Sequence, residues 1–233
     1  MTTSNSRDLI LSKLRAARRP FPDAPPRPAQ FLPVTVQDDE SPDALLQRFQ
    51  TELINLKGEP FVVEGDEGAR AQVIANLEAL EAKRIIAWDF AHIPVEGLEA
   101  AIKAAGIEIL HPETHDEFRA EILATAESAQ AGITGADAAG AATGTLFFTT
   151  GPGRGRIPTI LPPVHIAVIR QSQIVTRIES WIAGLRAGGL QDIRQNANFC
   201  FVTGPSRTGD IEMELILGVH GPGRVQVIVK RGE

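Results

Sequence analysis

Apolar residues in the first half of the chain recur at spacings typical of short helices alternating with short strands. Ile10, Leu14 and Ala17 follow an i, i+4, i+7 pattern, which predicts an amphipathic helix over residues 7–18. The same reasoning predicts helices over about 42–57, 67–82, 97–105 and 115–128, and apolar strands at 61–63, 84–87 and 107–110. Because buried strands joined by helices pair in parallel, this half predicts a largely parallel sheet with both faces covered.

The second half of the chain is richer in strands, and its connections are rich in glycine and proline. Strands are predicted at 131–134, 145–149, 164–169, 199–203 and 225–229, with one long helix over about 176–187. The predicted fold class is therefore α/β. The glycine-rich loops are typical of functional connections rather than of linkers.

Six prolines between residues 20 and 33 separate the N-terminal helix from the rest of the chain. Proline at that density favours an extended connector, because it fixes φ and removes backbone donors. We therefore expect an N-terminal helical arm with its connector over residues 1–33, and a single α/β domain over 34–233. The apolar stripe of the arm needs another surface to cover it.

Charge is distributed unevenly between the arm and the remainder. The 233 residues hold 23 basic and 29 acidic side chains, a net charge of −6. Residues 1–30 contain six of those bases and two of the acids, so the remainder carries 17 and 27, or −10. A basic arm is suited to docking on an acidic neighbouring subunit, and a solvated helix with a flexible tail is the alternative. The net negative charge opposes binding to nucleic acid.

Several classes of protein are excluded by what the sequence lacks. No apolar run is long enough to cross a bilayer and no signal peptide is predicted, so a cytoplasmic protein is expected. Cys200 is the one cysteine, so the chain cannot build a disulfide or a cysteine-ligated iron–sulfur cluster by itself. Nucleotide-binding glycine motifs and metal-ligand spacings of histidine do not occur, and no metal or cofactor is expected on this chain alone.

The first candidate binding segment is Thr143-Gly144-Thr145, which leads directly into an apolar strand. Two hydroxyls beside a glycine can donate hydrogen bonds to a carboxylate or phosphate, while the glycine leaves its own N–H accessible. The alternative is a tight turn in which Gly144 only supplies a left-handed cap.

The second candidate is the loop over residues 204–212, which follows the predicted strand 199–203. Its arginine can hold an oxyanion with two parallel N–H donors, and the helix expected to follow adds a positive field. Ligand binding is therefore predicted for Gly204, Pro205, Ser206, Arg207, Thr208 and Asp210. The alternative is a helix cap in which Arg207 pairs with Asp210 or Glu212 across one turn.

The third candidate is His220-Gly221, which follows a short predicted helix with Ile211 and Leu215 on its buried face. The two loops can then face one cleft, in which a neutral histidine acts as an acid or base. A histidine that only holds its turn is the alternative. The catalytic candidates are accordingly Asp210, Glu212 and His220.

A fourth segment, residues 151–156, combines three glycines with Arg154 and Arg156. Flexibility and two cations are suited to a mobile lid over an anionic ligand. An exposed loop without a ligand is the alternative.

Five segments occur together in a recognisable order: residues 132–137 (Gly-Ile-Thr-Gly-Ala-Asp), 143–145, 161–165, 204–212 and 218–222. This combination resembles the lactate utilization protein C family, the stand-alone form of the LUD domain. The resemblance implies a three-layer α/β/α fold similar to the NagB/RpiA/CoA-transferase group. It also implies membership of a three-component system that oxidises L-lactate to pyruvate, with iron–sulfur clusters on cysteine-rich partner proteins.

We expect the ligand of the Gly/Ser/Thr/Arg pocket to be a small carboxylate such as lactate or pyruvate, or an anionic cofactor of unknown identity. Relatives commonly carry glutamate before the Thr-Gly-Thr turn, where this chain has Ala142, and alanine can neither attack a substrate nor transfer a proton. An accessory, ligand-binding subunit is therefore the main hypothesis. The alternatives are an independent enzyme similar to CoA-transferases, sugar-phosphate isomerases or folate cyclo-ligases, and a purely structural scaffold.

Overall fold

The computed structural model describes residues 6–17, 39–111, 119–189, 196, 198–209 and 215–232. The chain divides into two compact units, Met1–Val34 and Thr35–Glu233. In the first unit the described residues form helix α1, Ser6–Ala17, on which Leu9, Ile10 and Leu14 are exposed. The proline connector predicted after this helix lies outside the described residues.

The second unit combines helices and strands in alternation. Its helices are α2 (Pro42–Asn55), α3 (Gly65–Ala79), α4 (Leu98–Ala104), α5 (Arg119–Ala126), α6 (Ile157–Ile160) and α7 (Ile178–Ala187). Its strands are β1 (Glu59–Glu64), β2 (Arg84–Ala87), β3 (Glu108–Leu110), β4 (Ala131–Thr134), β5 (Ala138–Gly140), β6 (Thr145–Thr150), β7 (Val164–Arg170), β8 (Ile174–Val175), β9 (Asn198–Val202), β10 (Arg207–Gly209), β11 (Leu215–Leu217) and β12 (Arg224–Arg231). None of the helices seen in the described ranges has the length and apolar character needed to cross a membrane.

Six strands form one sheet in the order β1-β12-β7-β4-β2-β3, and every pairing in it is parallel. Strands β7 and β12 pair from Val164 opposite Arg224 to Arg170 opposite Lys230. Each is buried over six consecutive residues, as expected for strands covered on both faces. The predicted largely parallel central sheet is confirmed.

Alternate residues of the central strands face two different cores, because side chains on a strand point to opposite faces in turn. Ile166 and Val168 of β7 pack on the face covered by α3 and α4. Ala167 and Ile169 pack on the opposite face, which is covered by α2. On that same face α5 and α6 pack against Ile86 of β2. The sheet therefore lies between two covering layers, as the α/β/α prediction requires.

Close packing of α6 on the sheet depends on Gly132 in β4. A Cβ atom at this position would lie 1.8 Å from the carbonyl oxygen of Pro158. No side chain fits into that space, so glycine allows the helix backbone to approach the strand directly.

A second, smaller sheet has the strand order β8-β5-β6-β9. Its β5–β6 and β6–β9 pairs are antiparallel, whereas β5 and β8 are parallel. The sequence predicts β6 and β9 as strands without separating them from the parallel sheet, and it misses the very short β5 and β8. Trp181 of α7 stacks on Phe147 of β6 with ring centroids 5.2 Å apart, which holds the helix on this sheet.

The segment around Leu215 differs from its prediction. Strands β10 and β11 form an antiparallel pair, where the sequence predicts a helix with Leu215 on its buried face. Leu215 is instead 70% exposed, so the prediction is wrong for this residue. Ile211 lies outside the described residues. A spacing of four residues also fits one face of a strand, so the pattern alone does not distinguish the two structures.

The buried His165 in β7 makes the stability of the fold depend on pH. Its Nε2 lies 2.8 Å from the Thr134 hydroxyl, and its Nδ1 has no hydrogen-bond partner. Burial lowers the pKa of His165 from 6.5 to about 4, because the charged ring would lose its hydration. The unfolded chain therefore binds a proton more readily than the folded chain between those two values.

We predict that this difference destabilises the protein as the pH falls from about 6.5 towards 4, by up to about 1.4 kcal/mol per pH unit. The measurement is the free energy of unfolding of wild type and of His165→Gln across this range. Since other groups titrate equally in both proteins, the difference between their free energies isolates His165. A difference that stays constant between pH 7 and 4.5 would contradict the assignment.

Candidate functional site

The predicted binding segments lie at the amino edge of the parallel sheet, where its strands begin. Gly144 packs on the end of α2, because a Cβ there would lie 2.7 Å from the backbone nitrogen of Leu53. A Cβ at Gly204 would lie 2.9 Å from the Cβ of Leu56. Leu56 connects α2 to the first residue of β1, so both glycines face the beginning of the sheet.

Arg207 also contacts this connection. Its guanidinium donates a hydrogen bond to the backbone carbonyl of Leu56. A cation near the last carbonyls of a helix is favourable, because these groups carry partial negative charge. The neighbouring Thr208 pairs with Ile216 in the β10–β11 hairpin. Arg207 thus holds the end of α2 in this structure, and its predicted binding of an anion stays a prediction.

Three threonine hydroxyls form a connected row beside Gly144. Thr145 Oγ1 lies 2.8 Å from Thr143 Oγ1 and 2.9 Å from Thr203 Oγ1. Thr145 is buried, whereas Thr143 and Thr203 are exposed. The antiparallel pairing of β6 with β9 brings Thr203 to this position, and strand spacing alone does not indicate it.

Ser206 joins the loop after β9 to the loop before β12. Its backbone N–H donates to the Pro222 carbonyl at 2.8 Å, and its carbonyl accepts from the Gly218 N–H at 2.9 Å. Pro205 is buried, and a Cβ at Gly221 would lie 3.3 Å from the Cβ of Ser206. The predicted segments are therefore linked to one another by contacts along this edge.

The catalytic candidates remain predictions. His220 is exposed, while Asp210 and Glu212 lie outside the described residues. Open parallel α/β sheets bind ligands at the other edge, beyond the carboxyl ends of their strands. At that edge the described residues enclose two cavities.

The smaller cavity lies where the chain reverses its direction across the sheet. From β2 the chain continues outward to β3, and it then returns to β4 on the other side of β2. Connections after two neighbouring strands diverge at such a point and leave a crevice. Trp88 follows β2, Asp137 follows β4, and both line a cavity of about 450 Å³.

Asp137 and Arg154 form an ion pair in this cavity. Asp137 Oδ2 accepts from the N–H and the hydroxyl of Thr149 at 2.7 and 2.8 Å. Its Oδ1 accepts from Arg154 Nη1 at 3.0 Å. The other terminal nitrogen of Arg154 donates to Asn196 Oδ1 at 3.4 Å. The Arg154 and Asp137 side chains are 22% and 25% exposed, so a molecule in the cavity can reach both.

The glycine- and arginine-rich loop over residues 151–156 supplies Arg154 to the cavity. It is held by two hydrogen bonds, from the Trp88 indole N–H to the Gly155 carbonyl at 2.8 Å and from the Asp89 N–H to the Gly153 carbonyl at 2.9 Å. Gly153 has a φ of 70°, and a Cβ there would lie 2.9 Å from the Cβ of Asp89. These contacts place the loop against the segment after β2 as a wall of the cavity, and its predicted mobility stays a prediction.

Several residues of this cavity were not among the predicted site residues. Gln173 Nε2 donates to the Ala136 carbonyl at 2.5 Å, and the exposed His92 also contributes to the lining. The sequence offers one indication of this site, because Trp88 and Asp137 both lie in the short segments that follow buried strands. Their grouping depends on strand order, which the spacing of residues does not reveal.

Cys200 lies in β9, partly buried against the core shared with α3 and α4. Burial raises the pKa of its thiol, although the nearby Arg156 acts in the opposite direction. A protonated thiol is a poor nucleophile and a poor metal ligand, which agrees with the prediction of a small core residue. In the part of the chain that the structure describes, no group of three His, Cys, Asp or Glu side chains could hold a metal ion.

A parallel sheet between two covering layers, with a polar cavity at its switch point, defines an α/β protein of the doubly wound type. The LUD domain family matches residues 46–229. The chain belongs to this family.

Curated relatives carry the name lactate utilization protein C. The relative from Halalkalibacterium halodurans is 35% identical over 159 residues, which cover 68% of this chain and 67% of that protein. The relative from Macrococcus caseolyticus is 38% identical over 125 residues, which cover 50% and 53%. These matches therefore span between about half and two thirds of the relatives' own lengths.

A crystal structure of a DUF162 family protein from Deinococcus radiodurans has a similar fold. The TM-score is 0.60 at 24% sequence identity, over 82% of this chain and 99% of that chain. At this level of identity the likeness supports the fold alone.

We predict that Asp137→Ala destabilises the protein by about 2 kcal/mol, because the Thr149 N–H and hydroxyl and the Arg154 guanidinium lose an acceptor. Urea unfolding monitored by tryptophan fluorescence gives this difference. Glu78→Ala is the matched control, since this carboxylate is exposed on α3 and its removal is expected to change stability by less than about 0.5 kcal/mol. Equal effects of the two substitutions would show that Asp137 does not organise the cavity.

Proposed function

We propose that this chain serves lactate utilization as an accessory subunit that binds a small carboxylate, in an iron–sulfur-dependent system that oxidises L-lactate to pyruvate. The curated relatives are named lactate utilization protein C, which supports a role in lactate utilization. The switch-point cavity is the observation that carries the ligand-binding part of the proposal.

The chemistry of the cavity suits a 2-hydroxy or 2-oxo acid. An arginine has five N–H donors, and among the described residues hydrogen bonds to Asp137 and Asn196 engage two of those on Arg154. The remaining donors suit a carboxylate, while the Asp137 carboxylate suits a hydroxyl donor on the same molecule. About 450 Å³ is ample for a ligand of this size, so we place it between Arg154 and Trp88.

The need for an electron acceptor determines which role the proposal gives to this chain and which to its partners. Oxidation of L-lactate to pyruvate releases two electrons and two protons, so the system needs an electron acceptor. Because Cys200 is the one cysteine, this chain does not itself hold a cysteine-ligated cluster. The proposal therefore assigns the iron–sulfur clusters to cysteine-rich partners and leaves ligand binding to this chain.

We predict that L-lactate or pyruvate stabilises the wild type and Arg207→Gln, whereas it fails to stabilise Arg154→Gln. A ligand at about 100 times its dissociation constant adds about 2.7 kcal/mol, which thermal unfolding detects readily. Each variant is compared with its own ligand-free baseline, because Arg154→Gln also removes an ion pair.

The two arginines are matched probes of the two edges of the sheet. Loss of the effect in Arg207→Gln alone would place the ligand at the amino edge, where the sequence predicts it. If neither L-lactate nor pyruvate stabilises the wild-type protein at millimolar concentration, the proposed ligand class is contradicted.

We also predict that this chain purifies under anaerobic conditions together with cysteine-rich iron–sulfur proteins. The measurement is affinity purification of the tagged chain from lactate-grown cells that express all components, followed by iron and sulfide analysis. Recovery of this chain alone, with the other components expressed at normal levels, would count against a complex.

A further inference from the structure

A second and larger cleft lies at the same carboxyl edge, with a volume of about 950 Å³. It lies beyond the ends of β1, β7 and β12, so it is separated along the sheet from the crevice between β2 and β4. Its lining includes Asp66 at the start of α3, Arg170 at the end of β7 and Lys230 near the end of β12. Its volume falls within the range of ligand pockets, and it lies at the edge where open parallel sheets bind ligands.

Lys230 is the unusual residue of this cleft. Its side chain is only 5% exposed, and its Nζ lies 2.5 Å from Asp66 Oδ1. A buried ammonium group is unfavourable unless it is paired and hydrogen-bonded. It has three N–H donors, and among the described residues the structure gives it one acceptor, Asp66. Lys230 therefore retains donors for a molecule in the cleft.

Two carboxylates of the lining, those of Asp66 and Asp43, are already paired with cations. The hydrogen bond from Lys230 keeps the pKa of Asp66 below its usual value, so this carboxylate is ionised at neutral pH. Asp43, which also lines the cleft, accepts from Arg231 Nη2 at 2.8 Å. Arg170 adds a further cation to the lining. The exposed Glu96 is a further carboxylate of the lining.

Another part of the lining is apolar. Phe90, Ile93 and Val95, from the segment after β2, contribute it. Ile93 and Val95 are buried core residues, so this part of the cleft is held in place by packing. A ligand that fills the space therefore needs an anionic group for Lys230 and a larger body that contacts apolar side chains.

We propose that this cleft binds an organic phosphate through Lys230. A phosphate monoester carries up to two charges and three acceptor oxygens, so it can engage Lys230 and further donors at once. Helices α2 and α3 begin at the cleft without side-chain caps on their first N–H groups, whose partial positive charge adds to that of Lys230, while Asp43 and Asp66 in the same first turns offset part of it. This site is separate from the one in which we place the small carboxylate.

The test uses the full chain, isothermal titration, and three probes: inorganic phosphate, ribose 5-phosphate and AMP. AMP is expected to bind with the highest affinity, because its base can contact the apolar segment. Lys230→Met keeps the length of the side chain but removes its donors, and it is expected to weaken AMP binding by at least about tenfold. Lys103→Met is the matched control, since Lys103 also pairs with a carboxylate but lies exposed on α4.

A second variant keeps the test decisive if Lys230→Met does not fold. Ser172 is exposed and lines the cleft, so Ser172→Trp is expected to fill the space and abolish AMP binding without changing the Lys230–Asp66 pair. Arg154→Gln is expected to bind AMP as wild type does, which separates this site from the smaller cavity. Three outcomes would each overturn the proposal. Wild type could show no saturable binding, or it could bind AMP and inorganic phosphate with equal affinity. Alternatively, Ser172→Trp could leave AMP binding unchanged.

Discussion

The parallel pairing of β7 with β12, buried on both faces, is the constraint on which the rest of the structure depends. Strands of this kind need a covering layer on each side, because six consecutive residues of each strand are buried and point to both faces in turn. The helices α3 and α4 supply one layer, while α2 and the smaller sheet supply the other. Polar chemistry is consequently confined to the two edges of the sheet, where the strands begin and end.

The two edges use similar residues for different purposes. At the amino edge Gly144, Gly204 and Arg207 connect loops to the end of α2, and their contacts are with the protein itself. At the carboxyl edge Arg154 and Lys230 pair with aspartates that line open space. Glycine, hydroxyl and arginine residues suit a tight turn as well as they suit an anion, so residue type alone does not separate the two roles.

The sequence predicts the fold much better than it predicts the site. Strands β2 and β4 match their predicted bounds because short, largely apolar runs bounded by polar residues are typical of buried strands. The β10–β11 hairpin and the separation of the smaller sheet were missed, since periodicity does not show which strands pair. The Asp137–Arg154 pair joins residues 17 positions apart, and only the folding of the loop after β6 brings them together. A site assembled in this way becomes visible only when the order of the strands is known.

The two cavities at the carboxyl edge share structural elements. In the 3-10 turn Phe90–His92, Phe90 lines the larger cleft and His92 the smaller cavity. The 3-10 turn after β7 divides in the same way, because Gln171 lines the larger cleft and Gln173 the smaller. A movement of either turn therefore changes the shape of both cavities at once, which is the physical requirement for binding at one site to affect binding at the other.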